Sequence, residues 1–412
     1  MSFEKIPQRI LSRVGRLDTF ISGKKGSFGR LAGSYSPEEF CLIAQNIRNQ
    51  KLSPKNNRIS NHRIGPTTAE DFPEIQQRYF PGLFDRGKQI LKEGQVGAII
   101  AAGGVGARLG QNKIFWEIAP GLTLLHLKIW ATVGRIKEKA GIDVPLFFMT
   151  SEATHNEVVR IAAETGLVEN KDFIAANQSS LPILTLDGEL VDLGGETLYS
   201  PTGHGDIFPT LQQAKALDWM AKRGVRYLVQ SNVDNPLVVL DLSPENTFLA
   251  YLASHADGET EITAQVVRKE KNFRGGVPLL YKPADGTRRI SLIESTQVES
   301  AYLDQFNALL PFFNPLTLIY NLPFLRDFDP GKLPRVLIER NDEDPVTKEV
   351  LLKYLKIETI SGNITMTEPT TFLPDTIQGI SQEGMFTQLK GVDQVSAWKQ
   401  RLVSRFPDFF QR

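Results

Sequence analysis

The sequence predicts an α/β fold: a mixed, mostly parallel sheet flanked by helices, with a helical N-terminal extension and a short C-terminal region. Three observations carry this. Short, continuously apolar runs such as Val96–Ala101 suit strands buried on both faces. These runs alternate with segments whose apolar residues recur at helical spacing, which implies right-handed crossovers. A glycine-rich turn, "AAGGVGARLGQNK" at 101–113, follows the first such strand, where a sheet of this kind places its ligands.

The elements follow in chain order. Ser36-Pro37-Glu38-Glu39 is a capping box with proline in the first turn, and Phe40, Ile43, Ala44 and Ile47 continue as one helical face. Residues 51–66, with two prolines, four basic residues and no acids, read as a solvated connector. After the Val96–Ala101 strand and the glycine turn, Leu125, Ile129, Val133 and Ile136 mark a helix. A strand at 145–150, a helix at 152–165 and a strand at 173–176 come next. Residues 211–222 predict one helix ending at Gly224, followed by a strand at 227–230. Two strand-like runs between 279 and 294 flank Asp285-Gly286, a hairpin signal, and a helix closes the chain at Val395–Arg405. The expected division is an extension at 1–90, a catalytic domain at 91–330 and a C-terminal region at 331–412.

Composition excludes several classes. In 412 residues, 47 basic side chains balance 47 acidic ones, so no net field favours nucleic acid or a membrane surface. No apolar run is long enough to span a bilayer. Arg9, Arg13 and Arg16 are offset by Glu4 and Asp18, so the N-terminus reads as a helix rather than a targeting segment. One cysteine, Cys41, and five histidines leave no disulfide framework or dedicated zinc site, and a reducing cytoplasmic compartment is expected.

The glycine turn fits neither familiar phosphate loop. Gln111-Asn112-Lys113 follows Gly110 where a Walker A loop needs Lys-Ser/Thr, and Gly104-Val105-Gly106 meets its next glycine too late for a dinucleotide fingerprint. The stretch instead resembles the G-G-x-G-T-R-L-G…K signature of sugar-nucleotide pyrophosphorylases. Three further stretches resemble the eukaryotic-type UTP–glucose-1-phosphate uridylyltransferases in the same order: "NQSSLP" at 177–182, "TGHGDIFPTL" at 202–211 and "SNVDN" at 231–235. Weaker echoes, including "RGGVPLL" and "LIESTQV", extend the resemblance over about 85–320.

The resemblance implies a nucleotidyltransferase fold and an in-line transfer of uridylyl from UTP to a sugar 1-phosphate, glucose 1-phosphate foremost, with Mg²⁺ as cofactor. N-acetylglucosamine 1-phosphate or another sugar phosphate, and a catalytically weak binding relative, are the alternatives. It implies that Ala101, Ala102, Gly103, Gly104, Gln178 and Gly203 hold the nucleotide and that His204, Asn232 and Glu294 hold the sugar phosphate. Lys113, Arg108 and Asp234 would be catalytic, with Asp234 on the metal. The sequence departs from the family pattern at "FNPLT", where Leu316 replaces an asparagine, and at "FLPDT", where Asp375 falls near a phosphate-facing lysine. Lys348, Lys353 or Lys356 could supply that charge.

Overall fold

The computed structural model describes residues 14–15, 35–104, 113–193, 196–233, 235–236, 240, 242, 247–268, 276–284, 286–299, 302, 312–343, 350–374, 377–378 and 395–411. Its centre is an eight-stranded mixed sheet. Strands β1 (Val96–Ala101), β2 (Leu146–Thr150), β3 (Phe173–Asn177) and β4 (Tyr227–Asn232) run parallel in the order β4–β1–β2–β3. Beyond β4 lie the antiparallel β9 (Leu318–Asn321), then β5 (Ile262–Arg268), which also pairs with β8 (Phe312–Phe313) and with the parallel β12 (Thr370–Pro374). An antiparallel hairpin, β6 (Val277–Tyr281) and β7 (Arg289–Ile293), lies outside this sheet, as does the pair β10 (Val336–Glu343) and β11 (Val350–Glu358).

Side-chain alternation divides the core between the two sheet faces. Ala98, Ile100, Tyr227 and Val229 join one apolar cluster, and Ile99 and Leu228 join the other. The first cluster is covered by α2 (Phe80–Lys92), α3 (Leu124–Ile129), α5 (His155–Glu164), α8 (Phe248–Ala256) and the C-terminal α9 (Val395–Arg405). The second is covered by α6 (Ile207–Gln213) and α7 (Ala216–Ala221). Helix α3 continues through a π turn, Trp130–Gly134, into α4 (Arg135–Ala140), so the predicted helix forms with one bulged turn. The N-terminal α1 (Pro37–Arg48) begins as expected, with Ser36 accepting from the Glu39 amide, and buries Phe40, Ala44 and Ile47 against Leu181, Leu337 and Leu355.

Two expectations need correction. The single helix at 211–222 is broken: Lys215 takes a left-handed backbone, φ 52°, between α6 and α7, and no glycine advertises the break. The connector at 51–66 is not merely solvated. Ile64–Gly65 adds a strand to the β6–β7 hairpin, and Arg63 donates to Lys282 O and the Tyr281 hydroxyl. Among the described residues no helix is long and apolar enough to cross a membrane.

Helices α2 and α8 cross at Gly87, where a Cβ would stand 2.0 Å from Leu249 O. Alanine gains about 1 kcal/mol of helix propensity over glycine, but a backbone oxygen at that distance forces the helices apart. We expect Gly87→Ala to be destabilising by roughly 1–3 kcal/mol net, measured by urea denaturation; unchanged or raised stability would refute the close crossing.

Candidate functional site

The carboxyl ends of the parallel strands gather three of the motifs on one edge. Ala101 ends β1 in register with Asn232 of β4 on one side and Met149 of β2 on the other. Thr150, at the end of β2, pairs with Asn177, at the end of β3. The backbone beyond these ends stays tied: Ala102 N donates to Met149 O and Gln178 N to Thr150 O, both at 2.8 Å. Thr150 Oγ1 donates to Asn177 Oδ1 at 2.8 Å and lies 2.9 Å from His155 Nδ1.

This edge brings Gly103 under the Gln178 side chain. A Cβ on residue 103 would fall 2.2 Å from Gln178 Nε2 and 3.0 Å from Thr150 O. Glycine is therefore needed here for the amide to lie over the turn. Gln178 itself is 8% exposed, while Gly104 is exposed, and among the described residues nothing lies within 4 Å of where its side chain would be. The result is a buried amide, able to donate and accept, beside a bare backbone ledge.

The "TGHGD" stretch hangs from the same edge through hydrogen bonds. Asp206, fully buried, accepts from Ser179 N at 2.5 Å, and Thr202 donates to Ser179 O through both its amide and its hydroxyl. The close approach at these glycines is to the chain itself. Gly203, φ 89°, would carry a Cβ 2.6 Å from Thr359 O, and one on Gly205 would meet Ile360 N at 2.6 Å. Thr359 N donates to Thr202 O and Gly205 N to Thr359 O, locking the two segments together.

His204 is half-buried between them. Its Nδ1 accepts the Ser361 amide at 3.1 Å and lies 3.0 Å from Ser361 Oγ. An acceptor nitrogen carries no proton, so the neutral ring holds its hydrogen on Nε2. Burial also pushes the His204 pKa below the ordinary range, partly opposed by Glu358. Glu294 caps its own 3₁₀ turn, Ser295–Gln297, at the end of β7. That strand reaches the His204 support through Leu292, whose Cβ would lie 3.2 Å from one added at Gly362.

Of the expected catalytic groups, Arg108 and Asp234 lie outside the described residues, and Lys113 opens a 3₁₀ turn, Lys113–Phe115, with its side chain undescribed. Asp375 and Lys348 are also outside. Lys353 is exposed on β11, whereas Lys356 forms an ion pair with Glu358, whose Cβ and Cγ lie against Gly203. Lys356 is thus the nearer of the two to the site. Sequence reasoning missed Asp206, Thr150 and Ser361. It also missed Lys128, a fully buried lysine donating to Asn235 O at 2.8 Å beneath the "SNVDN" loop. Asp206 lay inside a quoted motif; Ser361, 157 positions from His204, carried no local signal.

A separate cavity of about 570 Å³ lies at the opposite end of β4, lined by Arg226, Tyr227, Glu261, Asn321 and Lys332 among others. It contains none of the residues singled out from the sequence.

Comparison with known proteins agrees with the motifs. The family profile described as UTP--glucose-1-phosphate uridylyltransferase matches residues 39–363. The chain is 28% identical over 270 residues to the UTP--glucose-1-phosphate uridylyltransferase of Musa acuminata, covering 63% of this chain and 54% of that protein. It is 30% identical over 272 residues to the enzyme of the same name from Hordeum vulgare, covering 63% and 53%. The matched region thus spans about half the length of these relatives. A crystal structure of a UDP-glucose phosphorylase from Trypanosoma brucei superposes with a TM-score of 0.64 at 22% identity, over 81% of this chain and 70% of that one, and shows the shared fold.

Gly103→Ala separates a binding role from a structural one. Its Cβ meets mainly the free end of a flexible side chain, so we expect a stability loss near 1 kcal/mol. If the ledge under Gln178 holds a nucleotide, as the sequence motifs lead one to expect, displacing the amide should weaken UTP binding at least tenfold, about 1.4 kcal/mol. Calorimetric titration giving wild-type affinity would remove Gly103 and Gln178 from the nucleotide site.

Proposed function

Because the chain belongs to the UTP–glucose-1-phosphate uridylyltransferase family, we propose that it transfers the uridylyl group of UTP to glucose 1-phosphate, releasing pyrophosphate and forming UDP-glucose. The observation that carries this reading is the Gln178 amide lying over Gly103 at the carboxyl edge of the parallel strands. Uracil presents an imide N–H flanked by carbonyls, and a glutamine amide matches a donor and an acceptor at once. Ala101, Ala102 and Gly104 continue the ledge for the ribose and phosphates, with Gly203 nearby.

The sugar phosphate then binds on the side of His204 and Asn232. The neutral His204 ring donates from Nε2 to a phosphate oxygen, with Glu294 serving the sugar hydroxyls. A sugar-phosphate oxygen attacks the α-phosphorus of UTP in line. The new oxygen–phosphorus bond forms as the bond to the bridging oxygen breaks, and the electron pair leaves on pyrophosphate. No side-chain nucleophile is required; the work is positioning and neutralising two anions. Lys113, supported by Arg108, offsets charge on the transferring and leaving groups.

Magnesium fits this site as an ion carried in with the nucleotide. Among the described residues no cluster of three or more metal-ligating side chains stands ready, and Mg²⁺ commonly needs only one or two carboxylates besides phosphate oxygens and water. Asp234 would supply the carboxylate. Its neighbour Asn235 is fully buried and, among the described residues, neither of its amide atoms has a hydrogen-bond partner, a polar group that suits a hydrated ion close by. When bound, the ion would neutralise phosphate charge. A cytoplasmic setting is part of this reading and is supported by the single cysteine.

A second reading, a weak or silent nucleotide-sugar-binding relative, rests on Asp375. It follows Pro374, the last residue of β12 at the same sheet edge as β5. Pyrophosphate release from UTP across a panel of sugar 1-phosphates distinguishes the readings. We expect turnover highest with glucose 1-phosphate. In Lys113→Ala, kcat should fall by about 10²–10³, as for loss of one charge-stabilising donor. Binding of UTP without release for any sugar would favour the silent relative, and full activity in Lys113→Ala would remove Lys113 from the mechanism.

A further inference from the structure

Behind His204 runs a chain of buried polar side chains that no sequence motif announced. The Tyr320 hydroxyl donates to Gln230 Oε1 at 2.8 Å, and Gln230 Nε2 donates to Ser361 Oγ at 3.0 Å. Ser361 Oγ lies 3.0 Å from His204 Nδ1, which also accepts the Ser361 amide. Tyr320, Gln230 and Ser361 are all fully buried, on β9, β4 and the turn after β11. Only one assignment of hydrogens satisfies every member. The backbone amide can only donate, so Nδ1 must accept, and the Ser361 hydroxyl must then turn its proton to Nδ1. Its oxygen receives the Gln230 NH₂, whose carbonyl receives the tyrosine proton. The donors all run in one direction and end on one imidazole nitrogen.

We propose that Ser361, backed by Gln230 and Tyr320, is the positioning residue of His204: it pins the ring in the Nε2–H tautomer, so that the histidine meets its ligand as a neutral, directed donor. The chain is costly to maintain at three buried polar groups; its direction explains its use. An apolar trio would fill the same space but leave His204 Nδ1 with the backbone amide alone, so that one donor in place of two would hold the tautomer. The inference rests on the proposed function, in which His204 receives the phosphate of a sugar 1-phosphate.

The test uses the full-length protein. Ser361→Ala removes the hydroxyl but leaves Gln230 without its acceptor, so Tyr320→Phe/Gln230→Met/Ser361→Ala is made beside it; removing all partners together avoids a buried orphan. Imidazole ¹⁵N shifts, assigned by loss of signal in His204→Gln, report the tautomer directly. The wild type should show Nδ1 unprotonated and Nε2 protonated; in both variants the two shifts should converge as tautomers mix. With glucose 1-phosphate, KM should rise about tenfold, the worth of about one hydrogen bond, with kcat little changed, because a ground-state contact has loosened. A proton on Nδ1 in the wild type would overturn the proposal. So would unaltered shifts and KM in both variants, or a fall in kcat alone with KM preserved, which is the signature of a merely structural loss. Should no sugar 1-phosphate be turned over, the functional reading fails while the nitrogen shifts still decide the tautomer.

Discussion

Two backbone segments must touch for this site to exist, and only glycine lets them. Residues 203 and 205 lie so near Thr359 and Ile360 that a Cβ on either would stand 2.6 Å from a backbone atom. Such contacts cannot be relieved by turning a side chain; one segment would have to retreat. From this crossing the rest follows. Thr202 and Thr359 join through their backbones, Thr202 reaches Ser179, and Asp206 closes the loop on the Ser179 amide. Ser361 is thereby delivered to His204. Residues 177–182, 202–206 and 359–361 act as one unit hung on the carboxyl edge of the sheet.

That edge is the second constraint. Parallel strands place their carboxyl ends together, so residues remote in sequence converge on one edge. Ala101 and Asn232 are register partners across β1 and β4, and Thr150 and Asn177 across β2 and β3. The proposed nucleotide ledge and the proposed sugar-phosphate side then differ in character. The first is bare backbone with one amide over it; the second is a histidine whose ring is held from behind.

The strands were readable because burial on both faces writes a continuous apolar run, as in Val96–Ala101. Helix α1 was readable because its cap, proline and apolar face agree. The break at Lys215 was not, since a lysine with positive φ carries no compositional mark. Nor was the purpose of the "TGHGD" glycines, which sequence alone associates with a ligand but which also serve contacts to 359–360. The buried partners of His204 escaped because hydrogen bonds between distant strands leave no periodicity to detect. Leu316 is instructive in another way. It holds φ 62°, a conformation asparagine tolerates far better than leucine. Asn314 organises the turn, donating to Gln265 O and Thr317 O and accepting from Leu316 N. Leucine at 316 therefore bears strain of order 1 kcal/mol, against which its burial among Phe312, Leu318 and their neighbours stands as the compensating gain.

On the proposed function, the nucleotide lies on the Gly103 ledge with its base read by Gln178 and its phosphates directed toward His204. A crystal structure with UDP-glucose bound tests this most directly. The uracil imide edge should then lie within hydrogen-bond distance of the Gln178 amide, with a phosphate oxygen on His204 Nε2. A nucleotide seated elsewhere, for instance in the cavity lined by Arg226 and Lys332 at the opposite end of β4, would contradict it.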